Sequence, residues 1–151
     1  MLGCRAMRLT LLTIGYEGRT VDELIAALRE ADAQLLIDVR AVAASRRPGF
    51  SKTALAGALG QAGIDYLHLR ALGTPKPGRE AARKGRAAEM RTIFEAHLDT
   101  PEAEFAFEQA HAAAIERRSA LLCFERDPAC CHRTILAERL TARTGFDVQS
   151  L

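Results

Sequence analysis

Apolar positions along this chain alternate between short unbroken runs and longer stripes spaced three and four apart, a pattern that predicts strands alternating with helices. Leu9 to Ile14 is a continuous apolar and β-branched run ending at Gly15, as expected of a strand buried on both faces. Thr20-Val21-Asp22-Glu23 has the form of a capping box, and Leu24, Ile25 and Leu28 form the stripe of a helix reaching about Ala31. Gln34 to Val39 repeats the buried-strand pattern, with Asp38 and Arg40 at its carboxyl end. No period survives from Ala41 to Phe50, where Arg46-Arg47-Pro48-Gly49 reads as a loop.

Ser51 can cap a second helix with the stripe Leu55, Ala58, Leu59 and Ala62, closed by Gly63, and Ile64 to Leu69 reads as a third strand. The glycines and prolines between Leu72 and Gly85 predict a long loop. Ala87 to Leu98 is helical, and Thr100-Pro101-Glu102 starts another helix, expected to carry Phe105, Ala112 and Ile115 toward the core. Ala120 to Phe124 is a fourth strand, Thr134 to Arg143 an amphipathic helix stopped by Gly145, and Phe146 to Leu151 a short final strand. This order predicts an α/β fold, a three-layer sandwich with a mostly parallel sheet of four to five strands and helices on both faces.

At 151 residues the chain fits one domain with a real core, expected over residues 9–151 behind a disordered leader at 1–8, with Met7 an alternative first residue. No apolar run is long enough for a bilayer, and Leu9 to Ile14 is too short for an export signal. Cys4, Cys123, Cys130 and Cys131 are poorly spaced for disulfides, so a reducing cytoplasm is the expected location. The net charge of +2 does not itself imply nucleic acid, yet Arg70 to Arg91 gathers seven cations against Glu80 and Glu89.

Parallel strands put their carboxyl ends on one edge, where ligands of open α/β sheets bind. That edge should collect Tyr16 and Glu17, Asp38 and Arg40, His68, and Cys123 and Glu125, facing Cys131-His132-Arg133 at the start of the last helix. Arginine forks near a helix amino end bind phosphate or carboxylate. The leading expectation is therefore an enzyme for an anionic, phosphate-bearing substrate: a nucleotide, a nucleic-acid end or a small phosphorylated molecule. Arg40, Arg46 and Arg133 would hold the anion, and Glu125, His132 and Cys131 would act as acid, base or nucleophile. Tyr16 could stack or donate, while Asp38 and His68 complete the binding set, Asp38 chiefly as a partner for arginine. Cys131 in the helix cap should have a lowered pKa, and His132 could bond Asp38 or Glu125.

No glycine cradle of the phosphatase or sulfurtransferase kind follows Cys123. A metal site from Cys123, Cys131 and His132 with Cys130 or His68 ranks lower, because paired Cys-x-x-Cys knuckles are absent. The rival reading from another class is a non-catalytic module that binds nucleic acid or a protein through residues 70–91, although no aromatics interleave there for base stacking. The residues indicate no particular cofactor.

Five motifs in order, Thr13-Ile14-Gly15-Tyr16, Asp38-Val39-Arg40, Ser45 to Ser51, Tyr66-Leu67-His68-Leu69 with Leu72-Gly73, and Leu122 to Glu125 leading to Cys131-His132-Arg133, resemble the domain of unknown function 488 family. The resemblance covers about Leu9 to Leu140. It implies a small bacterial or archaeal cytoplasmic α/β domain and no established reaction, substrate or cofactor. That family commonly has a small polar residue or His where this chain has Tyr16.

Overall fold

The computed structural model describes residues 9–127 and 131–151; the expected leader, with Cys4, and Cys130 lie outside the described residues. Five strands, β1 (Thr10–Gly15), β2 (Leu35–Asp38), β3 (Asp65–His68), β4 (Ser119–Cys123) and β5 (Asp147–Ser150), pair in the order β3-β2-β4-β1-β5, every pair parallel. The α/β sandwich expected from the apolar pattern is the fold observed. Its strongest runs, in β1, β2 and β4, form the three central strands, where burial on both faces demands continuous apolar sequence.

Among the described residues six helices cover the sheet: α1 (Val21–Glu30), α2 (Lys52–Gln61), α3 (Lys76–Arg83), α4 (Ala87–Leu98), α5 (Pro101–Glu116) and α6 (His132–Thr144). α1 and α2 bury Leu24, Leu28, Leu55 and Leu59 against Leu12, Ile14, Leu36 and Leu122 on one face. α3 to α6 bury Ala81, Phe94, Ala110 and Leu136 against Leu11, Leu35, Ile37 and Leu121 on the other. Each leucine so buried contributes roughly 1.5–3 kcal/mol. The Thr20 capping box forms, with Thr20 Oγ1 accepting from Glu23 N at 3.1 Å, and Thr100 caps α5.

Four expectations need correction. The stretch Leu72 to Gly85 is no long loop: Arg70–Leu72 is a short 3-10 turn, and α3 follows. Pro77 sits in the first turn of α3, where no helical N–H is lost, so the prolines start this helix rather than break it. In α5 the buried face is Ala103, Ala106, Ala110 and Ala114, whereas Phe105 is 69% exposed and Ile115 is exposed as well. α6 begins at His132, two residues earlier than expected, with Cys131 as its cap. Ser51 sits at the start of α2 but turns its hydroxyl to Ser45 O at 3.2 Å instead of capping.

The topology dictates where the sheet opens. β4 lies between β2 and β1, and its connection leaves through α6 on one face, whereas the connections from both neighbours leave through α1 and α2 on the other. Loops that part in opposite directions leave a crevice at the carboxyl edge around the end of β4.

Candidate functional site

That crevice is small, about 120 Å³, and Tyr16, Arg40, Thr74, Arg79, Cys123, Glu125 and His132 are among its lining residues. Ladder bonds continue past the end of β4, with Tyr16 N donating to Cys123 O at 3.2 Å and Glu17 N to Phe124 O at 2.9 Å. Close approach is possible because position 15 is glycine: a Cβ there would stand 1.9 Å from Glu125 O. Gly73 does the same for the β2 loop, where a Cβ would stand 2.1 Å from Ala41 N.

Asp38 and Arg40 meet, but as a pair closed upon itself. Arg40 Nη2 and Nε donate to Asp38 at 2.7 and 2.9 Å, Nη1 donates to Phe50 O at 2.8 Å, and Nη1 also reaches the Tyr16 hydroxyl at 3.4 Å. Burial works to lower the Arg40 pKa, yet the hydrogen bonds and charge of Asp38 outweigh it and drive it above its ordinary value. Tyr66 donates its hydroxyl to the same carboxylate; burial and Asp38 both raise its pKa. Tyr16 is buried, stacked on Phe50 with ring centroids 4.6 Å apart. His68 Nε2 lies 2.8 Å from Arg40 O. Asp38 and His68 therefore brace the β2 loop and do not line the crevice.

Arg133 is fully buried and turns away from solvent, donating to the carbonyls of Glu125 and Arg126. Its two terminal nitrogens are taken up by those carbonyls of the β4 loop, while its buried Nε has no hydrogen-bond partner. Arg46 is exposed and outside the crevice wall, and Arg47 donates to the carbonyls of Tyr16 and Arg19. Among the described residues the cation that lines the crevice without an acidic partner is Arg79, from the first half of α3, donating to Thr74 O at 2.9 Å. The glycines and prolines of this segment predict a loop, which hides the position; Pro75 and Pro77, read as a helix start, are the signal that reveals it.

His132 bonds neither Asp38 nor Glu125. Its Nε2 lies 2.8 Å from Val39 O, and its Nδ1 lies 3.4 Å from Cys123 Sγ. Cys123 Sγ in turn donates to Glu125 Oε2 at 3.1 Å. Burial acts to lower the His132 pKa, but hydrogen bonds to Cys131 and to Val39 O and the charge of Glu125 leave it raised. Cys131 does accept from Arg133 N at 3.5 Å as a cap, but burial pushes its thiol well up, reversing the expected lowering. Among the described residues Cys123 is the thiol that borders the crevice, and Cys131, expected there as acid, base or nucleophile, does not.

A second, more open groove of about 550 Å³ continues from the crevice across Ala41, Val42, Thr74 and Arg79, which line both. Arg70, Lys76 and His97 also line it. Among the described residues no helix is long and apolar enough to cross a membrane. A family model described as Domain of unknown function DUF488 matches residues 20–140. No curated protein and no solved structure matches the chain.

Proposed function

We propose that this chain, which belongs to the DUF488 family, is an enzyme acting on a small phosphate-bearing substrate, a nucleotide or the phosphorylated end of a nucleic acid. The observation that supports it is the shared wall: a crevice the size of one anionic group opens onto a longer groove lined by Arg70, Lys76 and Arg79. The phosphate enters the crevice beside Arg79, and the rest of the substrate lies along the groove. Arg40 shapes the crevice wall, but its charge is balanced by Asp38 and its donors are committed to Asp38 and Phe50 O, so Arg79 is the cation left to meet the anion.

Glu125 is the one carboxylate among the described crevice residues, which fits it for proton transfer; its contact with the Cys123 thiol joins it to the Cys123–His132 cluster. His132 orients that cluster through its bond to Val39 O.

Thermal-shift and titration measurements with inorganic phosphate, mononucleotides and short 5′-phosphorylated oligonucleotides test the reading. Arg79→Ala should weaken binding by about 10-fold or more, the loss of one charge-assisted contact of roughly 1.5–3 kcal/mol. Identical responses from wild type and Arg79→Ala to every ligand would overturn it. Salt-dependent oligonucleotide binding that needs the exposed Arg83 and Arg86 but not Arg79 or Glu125 favours the non-catalytic module instead.

A further inference from the structure

Cys123 closes β4, Cys131 caps α6 and His132 is its first residue, so strand end and helix start deliver three soft ligands to one point. Both sulfurs and a ring nitrogen lie within 4.8 Å of one another, and all three residues are buried. His132 Nδ1 stands 3.4 Å from Cys123 Sγ and 3.9 Å from Cys131 Sγ. Two thiolates and an imidazole nitrogen at the corners of a zinc tetrahedron are separated by about 3.5–3.8 Å, so small side-chain adjustments suffice.

The tautomer agrees. A carbonyl oxygen only accepts, so the contact with Val39 O requires the proton on Nε2 and leaves the Nδ1 lone pair aimed at the sulfurs. Metal-binding histidines are held in this manner, by a carbonyl on the far nitrogen. The charge balance suits the interior too, because two thiolates neutralise a divalent ion where an unpaired charge would be costly. Soft sulfur ligands disfavour magnesium and calcium.

We propose that Cys123 Sγ, Cys131 Sγ and His132 Nδ1 bind one zinc ion whose fourth position borders the crevice. Cys123 and His132 belong both to the triad and to the crevice wall, so the open vertex faces the space proposed for the substrate. Glu125, 3.1 Å from Cys123 Sγ, stands where it can take a proton from water at that vertex. The inference deepens the proposed function in placing a Lewis acid beside the anion pocket, but the metal site rests on the triad alone.

Elemental analysis of wild type purified without chelator should give about one zinc per chain. After stripping and reloading with Co(II), a near-ultraviolet thiolate-to-cobalt charge-transfer band and tetrahedral visible bands are expected. Cys131→Ser, shown folded by circular dichroism, should lose about half of the charge-transfer intensity. Wild type that is folded yet holds no zinc and gives no such band with Co(II) overturns the proposal. A band abolished by Cys130→Ser and untouched in Cys131→Ser overturns the ligand set. Phosphate titrations of the same samples keep the two readings apart: Arg79-dependent binding without any cobalt band sinks the metal and spares the phosphate site. A cobalt band with no response to any phosphate ligand does the reverse.

Discussion

At the scale of single residues, the site depends on atoms that are missing. Gly15 has no Cβ to meet Glu125 O, and Gly73 none to meet Ala41 N, so two loops can close on the end of the sheet. Neither glycine has a positive φ, so the requirement is space and not backbone freedom. Gly15→Ala forces backbone against backbone and should cost about 1–3 kcal/mol in urea unfolding, together with phosphate binding, since Glu125 moves with the displaced loop. Gly57, inside α2 with open space where a Cβ would stand, is the control: Gly57→Ala should stabilise by roughly 0.5–1 kcal/mol. A Gly15→Ala variant as stable as wild type would remove the close-approach argument. Residue chemistry also marks where the sequence was legible. Positions after strands put Tyr16, Arg40 and Glu125 at the edge and the start of the last helix puts His132 there, and the structure gathers all four around one crevice. Direction was not legible: Arg133 and Arg40 turn inward because carbonyls and a carboxylate lie within reach there, and sequence order does not say which way a guanidinium will turn.

Among the elements, α5 and α3 show what governs legibility. The large apolar side chains of α5 drew attention to Phe105 and Ile115, yet the helix buries its alanines, whose small size lets it settle closely on its neighbours. The stripe Ala103, Ala106, Ala110, Ala114 has helical spacing and was present in the sequence, but it is inconspicuous in an alanine-rich segment. Phe105→Ala should therefore change stability by less than about 0.5 kcal/mol, whereas Ala110→Leu should cost about 1–3 kcal/mol by overpacking. Chemical denaturation of the pair checks this, and equal effects would mean the buried face is misassigned. α3 was obscured for the opposite reason: prolines and glycines signal loops on average, and only their place in the first turn makes them compatible with a helix. Its recovery matters for function, because Lys76 and Arg79 line the groove from this helix. β1, β2 and β4 were readable throughout, since a strand covered on both faces has almost no freedom in composition.

For the whole molecule, the sheet order ranks the strands by security. β4 is flanked by β2 and β1 and covered by helices on both faces, whereas β5 pairs with β1 alone and all four of its residues are exposed. Hydrogen exchange followed by mass spectrometry should find Ser119–Cys123 the slowest strand and Asp147–Ser150 the fastest. Faster exchange in β4 than in β5 would contradict the topology as the source of rigidity. The crevice is thus anchored to the most protected strand, which suits a site whose geometry must be held before a ligand arrives. α6 carries this further. Its cap and first two residues supply Cys131 and His132 to the triad and Arg133 to the carbonyls that fix the Glu125 loop. A chain with its sheet formed and this helix still undocked lacks both the Cys131 and His132 members of the cluster and the clamp on the Glu125 loop. Docking of this one helix then assembles cluster and clamp together, so a partly folded population should divide into molecules that have both and molecules that have neither.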